Sequence, residues 1–70
     1  MSLAELFKRA KTKGYSITID NDINLDIVII RVKKGTEIYN CMTQTNRLTD
    51  TEHIKSMIAM CEKRIGVKDE

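Results

Sequence analysis

Apolar residues recur along this chain at two different periods. In "SLAELFKRAKTKGY" residues Leu3, Leu6, Phe7 and Ala10 return at the spacing that lines one face of a helix. Ser2 with Glu5 supplies a reciprocal cap at the start. Lys11 and Lys13 fall at the negative end of the helix dipole, and Gly14 with Tyr15 offers a left-handed stop and its hydrophobic clasp. These signals predict a helix over 3–13. The period then changes to two: in "YSITID", Tyr15, Ile17 and Ile19 point one way and Ser16, Thr18 and Asp20 the other, the pattern of a half-buried strand. After the turn formers of "NDIN", a second strand, "LDIVIIRV", is rich in β-branched residues.

That second strand raises a question, because residues 27–30 are apolar on both faces, whereas a strand in a two-layer domain needs only one apolar face. "KKG" then breaks the run in the manner of a three-residue hairpin loop with a left-handed glycine. This loop sets Val32 opposite Thr36, Arg31 opposite Glu37, Ile30 opposite Ile38 and Ile29 opposite Tyr39. A loop one residue shorter exchanges the faces of the third strand. The final segment repeats the logic of the first: Thr49 and Glu52 form a capping box, and Ile54, Met57, Ile58, Cys61 and Ile65 trace an apolar stripe. Gly66 and Val67 close a helix expected over 50–65.

The expected fold class is α+β, an αβββα chain whose three-stranded antiparallel meander carries both helices on one face. It is one domain over 1–67 with a charged tail at 68–70. The inner face is expected to take Ile17, Ile19, Val28, Ile30, Val32, Ile38 and Met42 against Leu6, Phe7, Ile54, Met57, Ile58 and Cys61. The outer face is expected to carry Ser16, Thr18, Ile27, Ile29, Arg31, Glu37, Tyr39 and Cys41, with Ile27, Ile29 and Tyr39 at its centre. A few apolar side chains in water need no explanation. An apolar cluster with an aromatic and an arginine has the composition of an interface anchor, for a partner protein or for a second copy in a homodimer.

Composition narrows the function. At 70 residues the chain buries only about 60% of its unfolded surface, so its core is thin. There is no run of apolar residues long enough to span a membrane and no secretory signal, which makes the cytoplasm the expected location. The net charge of +2 is too small to imply nucleic-acid binding by bulk electrostatics. The two cysteines, Cys41 and Cys61, sit among apolar neighbours as free thiols do in a reducing compartment.

No residue pattern points to an enzyme, a metal or a cofactor. His53 is the only histidine, with no nucleophile fixed beside it, and is expected to be solvated in the first turn of the last helix. Cys41, Cys61 and His53 lack the fourth ligand and the spacing of a zinc site. The three glycines are spent on helix stops and a hairpin, leaving none for a phosphate loop. "DNDINLD" brings Asp20, Asp22 and Asp26 together but has neither the glycine nor the distal glutamate of a calcium loop. A solvated, acidic hairpin tip able to meet a basic partner is the remaining reading. Lys8, Lys11, Lys33 and Lys34, with Arg9, Lys13 and Arg31, form basic clusters that a nucleic acid could use. Such clusters are more commonly the wet side of a helix and the charged tip of a turn.

The αβββα order is similar to that of double-stranded RNA-binding domains. Those domains set lysines at the start of the second helix, where this chain has "TDTEH", so Asp50 and Glu52 repel the phosphates the family grips. In wording, "LFKRAKTKGYSITI" (Leu6, Lys11, Lys13 and Tyr15 in it) and "IIRV" followed by a turn and "EIY" resemble small prophage-encoded proteins of Gram-positive bacteria. Among these are compact αβββα anti-CRISPR inhibitors of the single-chain RNA-guided nuclease. The resemblance spans about the first forty residues. It implies a non-enzymatic phage protein, acting in the host cytoplasm, that seats carboxylates in the nuclease's cleft for target DNA. Here the acids are mainly Asp20, Asp22, Asp26 and Glu37 on a slightly basic chain, which leaves either a local acidic tip or a different mode of inhibition in place of imitation of DNA by the whole surface. The residues expected to meet a partner are these four with Ile27, Ile29, Arg31 and Tyr39; those for a nucleic acid are Lys8, Lys11, Lys33 and Lys34.

Overall fold

The computed structural model describes residues 2–67, so the charged tail expected at 68–70 lies outside the described residues. Helix α1 spans Leu3–Lys13. Its first turn is closed by the Ser2 hydroxyl, which accepts from the Glu5 amide at 3.2 Å, and by Glu5, which accepts from the Ser2 amide at 2.9 Å. Hydrogen bonds to the Glu5 carboxyl from the Ser2 backbone and side chain hold it below its usual range. Gly14, at φ 84°, turns the chain out of the helix, and the Tyr15 amide reaches back to the Ala10 carbonyl at 3.0 Å. The strands β1 (Ser16–Asp22), β2 (Ile27–Lys34) and β3 (Glu37–Gln44) form an antiparallel sheet in the order β1-β2-β3. A 3-10 turn at Thr45–Arg47 leads to helix α2, Thr51–Arg64. The architecture is therefore the αβββα one.

Helix α2 is capped one residue later than the Thr49 capping box predicts. Asp50 takes the position: one of its oxygens accepts from the His53 amide at 3.2 Å, the other from Arg47 at 3.0 Å. An aspartate there satisfies an amide and meets the positive end of the helix dipole, so it outcompetes the neighbouring threonine. Both bonds hold its carboxyl below the usual range. Past the Ile65 cap of α2, Gly66 is again left-handed, and the Val67 amide donates to the Glu62 carbonyl.

Both helices lie on one side of the sheet. Val28, Ile30 and Val32 are fully buried there between Leu6 and Ala10 of α1 and Ile54, Ile58 and Cys61 of α2. The third strand differs from the expected register. Gly35, at φ 62°, and Thr36 form a two-residue loop, with Lys34 opposite Glu37. A glycine at the first central position of a two-residue hairpin supplies the positive φ that matches the twist of the strands, so the shorter loop is preferred to the three-residue one. Val32 accordingly faces Tyr39, Ile30 faces Cys41 and Ile29 faces Met42. The faces of β3 are exchanged relative to the expectation. Tyr39 and Cys41 point inward, whereas Ile38 and Met42 point out and stay exposed. Phe7, assigned to the core by its spacing, lies on the exposed side of α1.

A polar cluster ties the two helices. The Glu62 carboxylate is buried and accepts from Arg9 at 2.9 Å and from the Tyr15 hydroxyl. Burial, with the Glu62 hydrogen bond and charge beside it, pushes the Tyr15 phenol up to about 12. A folded-state value above the unfolded one favours the neutral phenol, so its contribution is fully present below pH about 10 and is lost as pH rises toward 12. The urea midpoint should therefore fall between those pH values, and Tyr15→Phe should flatten this decline; an equal decline in the variant would contradict the assignment.

Candidate interaction surface on the open sheet face

Register alone positions the outer face, because residues that share it alternate along each strand. Four rows cross it: Ser16, Lys33 and Ile38; Thr18, Arg31 and Asn40; Asp20, Ile29 and Met42; Asp22, Ile27 and Gln44. No described element covers them. Ile27 and Ile29 are half-buried by their neighbours alone, and Met42 is 66% and Ile38 51% exposed. The question raised by the doubly apolar second strand thus has its answer: one row is core, the other is open.

The four-residue loop 23–26 extends the apolar surface beyond the sheet, with Ile23 84% and Leu25 67% exposed. It is held by Asp22, which accepts from the amides of Asn24 and Leu25 at 3.1 and 3.2 Å. Asn21 donates from the other side of the strand to the Ile27 carbonyl and to Thr45, and Asp26 adopts φ 57° to complete the turn. Leucine and isoleucine are thereby presented on a braced tip. Three shallow depressions border Ile27 and Ile29, one of them about 410 Å³ between Ile27, Met42, Arg47 and His53.

Charge is graded along this face. Asp20 and Asp22 lie on β1 beside the isoleucines, whereas Arg31 and Lys33 occupy the opposite end of β2. Arg31 is oriented by its neighbour Asn40, to whose side-chain oxygen it donates at 3.0 Å. The arrangement is apolar ground with carboxylates at one end and cations at the other, chemistry suited to non-covalent recognition.

The structure unites only part of the expected partner set. Asp20, Asp22, Ile27, Ile29 and Arg31 share the outer face, and Asp26 stands at the adjoining tip. Glu37 lies at the far hairpin on the opposite side from Asp20, paired with Lys34. Tyr39 packs on the core, with the Arg64 guanidinium 5.8 Å from its ring centre. Ile38, Met42, Ile23 and Leu25 replace them as apolar members. The signal for the first two was "KGTE", a glycine at the first loop position of a two-residue turn; the other two were readable only as loop residues.

The alternative basic set does not form one surface. Lys8 and Lys11 are on the solvent side of α1, Lys33 is on the opposite, open face of the sheet, and Lys34 is at the hairpin. His53 is not simply solvated: it is half-buried, with its Nε2 2.9 Å from the Thr43 hydroxyl. Among the described residues no group of histidine, cysteine and acidic side chains could hold a metal ion, and no helix is long and apolar enough to cross a membrane. The chain matches no protein-family model, no curated protein and no solved structure.

Proposed function

We propose that this chain is a non-enzymatic phage or prophage accessory protein that works in the host cytoplasm by binding another protein through its open sheet face. Inhibition of the single-chain RNA-guided nuclease of a host defence system is the most concrete form of that reading. The observation that carries the binding role is the contiguous Ile27, Ile29 and Met42 ground, prolonged by Ile23 and Leu25 and bordered by Asp20 and Asp22. Carboxylates beside apolar anchors fit a basic cleft, where each can accept charge-assisted hydrogen bonds while the isoleucines exclude water. The resemblance of the first forty residues to prophage inhibitors supplies the choice of nuclease.

A different protein suits this face better than a second copy does. A two-fold axis running across the strands through the apolar cluster sets Asp20 of one copy over Asp22 of the other; one running along β2 sets Arg31 on Arg31. Like charges facing each other oppose association. A nucleic-acid partner, the rival reading, requires Lys8, Lys11, Lys33 and Lys34 to act together, and their division between opposite sides of the molecule weakens it.

The test is target cleavage by the guide-loaded nuclease with a stoichiometric amount of the protein. Cleavage should be suppressed, and Asp20→Lys with Asp22→Lys should relieve the suppression at least tenfold, a change worth about 1.4 kcal/mol. Unimpaired cleavage with the wild-type protein would remove the nuclease from the proposal. Sedimentation over a broad concentration range should find a monomer; a dimer split by Ile29→Asp would make the homodimer the better reading.

A further inference from the structure

The changed register of β3 brings together two residues that the sequence leaves twenty positions apart. Cys41 points inward from β3 opposite Ile30, and Cys61 faces it from α2, with their sulfurs 2.8 Å apart. Both are free thiols and both are buried, at 8% and 0% exposure. A disulfide bond is about 2.05 Å long, so closing the gap needs a shift of less than about 1 Å. No other cysteine competes, since the chain has two.

We propose that Cys41 and Cys61 are a reversible thiol–disulfide couple, a modification site that clamps α2 to β3 when the protein meets a low-molecular-weight disulfide such as oxidised glutathione. Cys41, the less buried, loses its proton to solvent, and its thiolate attacks one sulfur of the small disulfide. An S–S bond forms to Cys41, and one small thiolate leaves. Cys61 then loses its proton and displaces the second small thiolate, forming the Cys41–Cys61 bond. Two protein thiols are oxidised by two electrons, and one small disulfide is reduced to two thiols.

The burial of Cys61, its hydrogen bond to Cys41 and the charges of Cys41 and Glu62 push its thiol up to about 12, so its thiolate is scarce in the closed fold. Both steps consequently require local opening of α2 from β3, Cys41 being itself buried, and the couple responds slowly. Once made, the bond restrains the unfolded chain across a loop of about twenty residues, enough to raise the melting temperature by about 10 °C in a domain this small. It lies on the helix side of the sheet and leaves the open face unchanged.

The decisive experiment exposes the folded protein to oxidised glutathione, and in parallel refolds it from denaturant in a glutathione buffer rich in the oxidised form. Each sample is then alkylated under denaturing conditions and weighed intact. The expected product in both samples is a monomer lighter by two hydrogens that takes no alkyl group and melts about 10 °C higher, formed within the refolding time in one and more slowly in the folded protein, where local opening comes first. Cys41→Ala and Cys61→Ala should yield neither the mass change nor the stabilisation. Two alkylatable thiols after refolding, persistent glutathione adducts, or cross-linked dimers in place of the internal bond would overturn the proposal.

Discussion

Ile30→Asp is expected to unfold the domain, whereas the same change one residue earlier, Ile29→Asp, should leave the fold standing and remove partner binding. Ile30 is fully buried between the sheet and the helices. Truncating such a side chain to alanine already costs about 2–5 kcal/mol, comparable to the whole stability of so small a domain. An unpaired carboxylate there costs more. Ile29 points to the open face beside Met42 and Asp20, where the same substitution should change stability by no more than about 1 kcal/mol. Circular dichroism melts will separate the two variants. Equal destabilisation by both would mean that Ile29 is covered.

The second large effect concerns Glu62. Its side chain is 6% exposed and pairs with Arg9, whose own side chain is 18% exposed. Glu62→Ala leaves the guanidinium in a partly dry site without this partner and deprives the Tyr15 hydroxyl of its acceptor. Breaking such a pair costs about 3 kcal/mol or more, although replacing both partners with apolar residues is commonly neutral. The double variant Arg9→Met with Glu62→Leu should therefore recover most of the loss. Urea denaturation of Arg9→Met, Glu62→Leu and the double variant measures the coupling, and additive effects would show that Arg9 and Glu62 do not act as a unit.

Much of the architecture was legible because local and global signals agree. Ser2, Glu5 and Gly14 bound α1 where their chemistry requires, and the alternation of Ile17 and Ile19 identifies β1 without knowledge of what it packs against. The buried row Val28, Ile30 and Val32 could likewise be chosen over Ile27 and Ile29, since the charged Arg31 belongs to the second row. The third strand was harder. "EIYNCMTQ" has apolar residues on both faces, so its own pattern does not select one. Loop length decides, and reading Gly35 as the end of a three-residue loop instead of the start of a two-residue one inverted the strand. Three consequences came with that inversion: Tyr39 joined the expected contact surface, Met42 left it, and the meeting of Cys41 with Cys61 was hidden. Glu62 was also invisible, because a glutamate on a helix is ordinarily solvated, and only the tertiary approach of Arg9 and Tyr15 makes burial tolerable.

Transfer of magnetisation from the unlabelled guide-loaded nuclease to methyl-labelled protein tests the central claim most directly. Signal loss is predicted at the methyl groups of Ile23, Leu25, Ile27, Ile29 and Met42, on the open face and its tip. Signal loss confined to Met60 on the helix side, or the absence of any transfer at saturating nuclease, would contradict it.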